Sequence, residues 1–163
     1  MHSHYYRIRT LERERDTMCG IGTRKVKLFL NKKVKKGDSL ALFFRTALEL
    51  EDANISAKKY YGDYRRHYYD KKEELLQKLI VLSKDNPNIV YGYQNHKTPV
   101  TSQIIYFELP NYQQISFHCN LKDLNNLPKY NGKWDEQENS TLQKIELAIQ
   151  EVYGDEIKQR YCA

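Results

Sequence analysis

The chain has 163 residues and carries 27 Lys or Arg against 21 Asp or Glu, a formal net charge of +6 at pH 7. A hydrophobic fraction of 40% with 12% aromatics excludes a disordered tract, and no apolar run approaches the roughly 18 residues of a membrane span. Length and composition therefore point to one soluble α+β domain over residues 1–163, with a basic half at 1–72 and a mildly acidic half at 73–163. The three cysteines, Cys19, Cys119 and Cys162, include no CxxC pair. The opening "MHSHYYRIRT" is basic and does not read as a secretory leader. Reduced thiols and a cytoplasmic location follow as expectations, the host cytoplasm if the chain is phage-encoded.

The first predicted element is a strand at Tyr5–Leu11, where Tyr6, Ile8 and Thr10 alternate with Arg7 and Arg9. A second strand is predicted at Arg24–Leu30, with Val26, Leu28 and Leu30 inward and Lys25, Lys27 and Phe29 outward, running into a basic loop that ends at Gly37. Asp38 or Ser39 then caps a helix whose buried side holds Leu40, Phe43, Phe44, Ala47, Leu48 and Leu50, broken by "ANIS" at Ala53–Ser56. The next helix runs from about Ala57 or Asp63 to Ser83 and is stopped by "DNPN".

Beyond Pro87 the pattern turns to β. A short strand is predicted at Asn88–Tyr93, and a hairpin over Gln103–Leu121 turns at Pro110–Tyr112. Ser140 with Gln143 makes a capping-box pattern for a last helix, with Leu142, Ile145, Ile149 and Val152 as its apolar stripe and Gly154 as its C-cap. The elements do not alternate strictly, so the expected architecture is an antiparallel sheet of about four to five strands packed with about three helices.

Charge is spread unevenly. Residues 1–36 hold eleven Lys or Arg against three acids, and the entire positive excess lies before residue 73. Within the basic half, "AKKYYGDYRRHYYDKK" (Ala57–Lys72) packs five tyrosines and six cations into one segment. On a helix, Tyr61, Tyr64 and Tyr68 continue the stripe of Leu75, Leu79 and Leu82 and read as core, while Tyr60 and Tyr69 fall off it beside Lys58, Lys59, Arg65, Arg66 and Lys72. Cations that neutralise phosphates next to rings that stack bases are the combination used by single-strand binders. The candidate nucleic-acid contacts are therefore Arg7, Arg9, Lys25, Lys27, Lys32, Lys33, Tyr60, Arg65, Arg66 and Tyr69. No helix-turn-helix, zinc-finger, KH or RNP1 pattern accompanies them.

Catalytic signals are weak. "MCGIG" at Met18–Gly22 resembles the start of amidotransferases with an N-terminal cysteine nucleophile, yet Cys19 is internal and lacks the α-amine that chemistry needs. "HKT" at His96–Thr98 resembles one half of a two-histidine phosphoesterase, but "HCN" at His118–Asn120 lacks the second hydroxyl. His96, His118, Glu108 and Cys119 are the available metal ligands and lie in no metal-binding spacing. Trp134, in a charged loop, is a candidate anchor for a protein partner. The function expected from these residues is a small non-enzymatic binding protein that engages nucleic acid, or a nucleic-acid–protein assembly, through its basic half. The alternative is a phage or mobile-element inhibitor or adaptor acting by protein–protein binding, and the third reading is a histidine-dependent phosphoesterase or metal hydrolase. No cofactor and no membrane partner are implied.

Overall fold

The computed structural model describes residues 22–95, 103–119, 126–132 and 139–162. In chain order the elements are α1 (Thr23–Lys35), α2 (Ser39–Lys59), α3 (Gly62–Lys84), β1 (Val90–Asn95), β2 (Gln103–Glu108), β3 (Gln114–Cys119) and α4 (Thr141–Tyr161). The architecture is α+β: four helices among the described residues and one antiparallel sheet in the order β1-β2-β3. Three strands occur among the described residues, against the four to five expected. The predicted strand at Tyr5–Leu11 lies outside the described residues, and the one at Arg24–Leu30 is helical.

That second difference has a simple cause. Val26, Phe29, Leu30 and half-buried Val34 are spaced three, four and eight residues from the first, so they share a helix face. Phe29 is 2% exposed and Leu28 50%, the reverse of what strand alternation requires. A Schellman motif ends α1: Gly37 sits at φ +88°, its N–H donates to Val34 O at 2.9 Å, and the Asp38 N–H donates to Lys33 O at 3.1 Å.

Asp38 opens α2 as expected, its Oδ1 accepting the Ala41 N–H at 3.1 Å. The helix does not break at Ala53–Ser56. Ala53 and Ala57, one turn apart and both buried, hold α2 helical to Lys59 and give α3 a smooth surface to pack on. The reversal falls instead at Tyr60–Gly62, where Gly62 takes φ +65°. Asn86, after α3, donates to Leu82 O at 2.8 Å and accepts from Ser39 Oγ at 3.3 Å, tying the end of α3 to the start of α2.

In the hairpin, Tyr106 faces Ser116 and Phe107 faces Ile115. Its turn places Tyr112 at φ +64°. All four residues Ile104–Phe107 of β2 are buried, so both faces of the middle strand are covered. The core face meets Phe43, and a satellite on the other face holds Ile104, Tyr106 and Tyr130. Tyr130 belongs to the segment 126–132, which lies along β1: the Tyr93 N–H donates to Pro128 O, and the Tyr130 N–H donates back to Tyr93 O. Gly92 makes this approach possible, since a Cβ there would stand 2.4 Å from Tyr130 N.

The capping box of α4 is present, with Ser140 and Gln143 bonded reciprocally. The helix then runs through Gly154, the expected C-cap, to Tyr161. Tyr153 and Ile157 are buried and extend the stripe, while Val152 lies outward at the helix surface. The Tyr153 hydroxyl donates to Asp38 Oδ2 at 2.8 Å, and its ring meets Phe29 and Phe44 edge-on. Just past α4, Cys162 is disulfide-bonded, which corrects the expectation of three reduced thiols. Cys119 is a buried thiol whose sulfur lies 3.5 Å from Gln103 O. No helix among the described residues is long and apolar enough to cross a membrane.

Candidate nucleic-acid interface

Among the described residues the candidate cations form two groups, one on α1 and one at the corner between α2 and α3. Lys25, Lys27, Lys32 and Lys33 stand on α1, not on a strand edge. Lys33 pairs with Glu156 and lies over the rings of Phe29 and Tyr153 at 5.9 Å each. Lys27 reaches Asp52 at 3.5 Å, and Lys25 lies 5.9 Å above the Tyr161 ring. Two of these four lysines are thus engaged with carboxylates of the protein itself, leaving Lys25 and Lys32 as the more available. Arg7, Arg9 and Trp134 lie outside the described residues, as does His96.

The second group crosses the corner between α2 and α3, and here the structure corrects the expectation most sharply. Helical spacing assigns Tyr61, Tyr64 and Tyr68 to one core stripe, yet Tyr61 is 80% and Tyr64 72% exposed. Only Tyr68 packs against the core. Tyr60 and Tyr69, at 37% and 42% exposure, join the exposed pair. The cause is the length of α3, whose buried stripe starts at Lys72 and Leu75, so its first turns have mainly α2 beside them. A sequence signal for this exists. Between Ala57 and Leu75 the segment contains no aliphatic residue, so a core stripe there would have to be built from phenols alone.

The rings and cations are ordered relative to one another. Tyr60 stacks on Tyr68 with centroids 5.4 Å apart and planes 15° from parallel, and it lies 6.2 Å from Tyr64. His67 meets Tyr68 edge-on. Lys59 Nζ sits 5.4 Å over the Tyr60 ring and the Arg65 guanidinium 5.7 Å over the Tyr69 ring. Tyr64 and Tyr68 are neighbours one turn apart on α3, and Tyr60, at the end of α2, lies against both. Lys58, Lys59, Arg65, Arg66 and Lys71 are exposed along the same corner, with Asp63 and Asp70 as the only acids from Ala57 to Lys72.

Comparison with protein-family models, curated proteins and solved structures finds no match.

The other sequence candidates are not brought together. His118 faces Ile104 across the hairpin and Glu108 faces Gln114, which puts the two at opposite ends of β3's pairing, while Cys119 is turned into the core. No group of three or more His, Cys, Asp or Glu able to hold a metal ion occurs among the described residues. The hairpin considered as a protein contact has its middle strand buried on both faces within this chain.

Proposed function

We propose that the protein binds single-stranded nucleic acid, alone or within a nucleic-acid–protein assembly, at the corner between α2 and α3. The observation that carries this reading is the set of four exposed tyrosines, Tyr60, Tyr61, Tyr64 and Tyr69, with cations standing over two of their rings. Exposed phenols offer flat faces to unstacked bases, and Lys58, Lys59, Arg65 and Arg66 offer charge to the connecting phosphates. Such binding reads little sequence, which suits a chain without a base-reading motif. The α1 lysines that remain available, Lys25 and Lys32, extend the field without forming the contact.

The test is fluorescence anisotropy with labelled single-stranded DNA, RNA and duplex DNA at three salt concentrations. Each base stacked on a tyrosine contributes about 1–3 kcal/mol, so the double variant Tyr61→Ala/Tyr64→Ala should weaken single-strand binding by at least about five-fold. Both side chains are exposed, so the fold should be unaffected. The variant Arg65→Ala/Arg66→Ala should flatten the log–log salt slope by about 1.4, at roughly 0.7 for each phosphate no longer neutralised. Absence of binding at low salt, or tyrosine variants that bind like the wild type, would overturn the proposal.

A further inference from the structure

Behind the tyrosine corner lies a cleft of about 580 Å³, bounded by α2, α3, the outer side of β3 and the start of α4. Its size falls in the range of small-ligand sites. Among the described residues three ammonium groups line it, Lys58 on α2, Lys72 on α3 and Lys144 on α4, against one carboxylate, Glu51. His118 and Tyr69 complete the polar wall.

Lys72 is the decisive residue. It is 7% exposed and makes no hydrogen bond or ion pair among the described residues. Its side chain is one of those that line the cleft. Burial has lowered its pKa from 10.5, and the charges of nearby Glu73 and Glu51 offset that loss of water only in part. The start of α4 opens on the same cleft through Ser140 and Thr141. The capping box engages the Ser140 and Gln143 amides, and the next two, those of Thr141 and Leu142, belong to the anion-favouring first turn.

We propose that this cleft binds a phosphate monoester, carried by a free nucleotide or by the phosphorylated end of a strand. Among the described residues the lining holds more ammonium than carboxylate, which favours an anion, and a phosphate monoester becomes a dianion near neutral pH. A diester carries a single charge and has no free end to enter with. Tyr69 belongs both to this wall and to the exposed tyrosine corner, so a base attached to the bound phosphate has a ring face within reach. The site does not depend on the strand-binding reading, since a free nucleotide would occupy it whether or not the corner holds a strand.

The experiment is calorimetric titration with a nucleoside 5′-monophosphate and the matching nucleoside. Anisotropy is measured alongside with an oligonucleotide bearing a 5′-phosphate or a 5′-hydroxyl. The monophosphate should bind and the nucleoside should not, and Lys72→Met should weaken the monophosphate by about ten-fold or more, the loss typical of a charge-assisted bond. Lys58→Ala, at the exposed rim, gives the same direction of effect should Lys72→Met fail to fold. Tyr61→Ala/Tyr64→Ala should leave monophosphate binding unchanged, which separates failure of this site from failure of the corner. Tighter binding of the 5′-phosphorylated strand over the hydroxyl strand assigns the monoester to a strand end, and equal binding of the two strands alongside a bound monophosphate assigns it to the free nucleotide. Equal response to nucleoside and monophosphate, no response to either, or variants that bind like the wild type would overturn the proposal.

Discussion

Removing water from the Lys72 ammonium without returning an ion pair among the described residues leaves the folded state holding that proton less tightly than the unfolded chain does. Between the lowered folded value and 10.5, the unfolded state binds more protons, so stability rises with pH through that window and the full cost is present below it. Lys72→Met should therefore stabilise the ligand-free protein at pH 7 by about 1 kcal/mol, a rise of about 2–4 °C in Tm. The advantage should shrink as the pH approaches 10.5, and thermal melts at neutral and alkaline pH check both halves. A lower Tm for the variant at pH 7 would mean that the ammonium is paired. Lys144, also buried and lowered in the same direction by desolvation, shares the sign. None of this is legible in the sequence: Lys72 reads as one more cation in a charged run, and nothing local says that it points inward. Tyr60, Arg65, Arg66 and Tyr69 are legible as candidates because they fall off the leucine stripe. Tyr61 and Tyr64 are misassigned by the same reasoning, because helical spacing continues past the point where the neighbouring elements end.

Elements with strong local punctuation are readable, and those defined by long-range packing are not. The Asp38 cap, the Ser140–Gln143 box and the Pro110–Tyr112 turn each satisfy their own backbone within a few residues, so sequence alone places them. Helix α1 reads as a strand because Val26, Leu28 and Leu30 fit alternation as well as Val26, Phe29 and Leu30 fit a helix face. The choice between Leu28 and Phe29 is made by the core they meet. Two glycines show the same division between local and distant causes. At Gly92, beside the backbone of Tyr130, Gly92→Ala should force the segment 126–132 off β1 and destabilise the protein by about 1–3 kcal/mol. At Gly154, inside α4 with open space around it, Gly154→Ala should stabilise by about 0.5–1 kcal/mol. Denaturant unfolding of the two variants should move the midpoint in opposite directions, and a shared direction would contradict the placement of one of them.

At the scale of the molecule, the described part of the positive excess of the first 72 residues falls into two groups, on α1 and at the α2–α3 corner, and internal pairs already engage part of the first. The fold class is legible in the sequence, while the merging of patches into one surface is not, because it depends on which faces the core consumes. Asp38 is where the two ends of the described chain meet: one carboxylate oxygen caps α2 and the other accepts the phenol of Tyr153, 115 residues away. Burial and that carboxylate raise the Tyr153 pKa far above its ordinary 10.0. A proton held more tightly in the fold contributes stability below pH 10 that is lost as the pH climbs past it. With fourteen tyrosines, the protein is its own ultraviolet indicator in base. Helical circular dichroism should persist until the last increment of phenolate absorbance, and the two should then change together. A titration completed with the helices intact would show that Asp38 does not hold this proton. Otherwise the final colour change marks the moment at which the start of α2 and the last helix part.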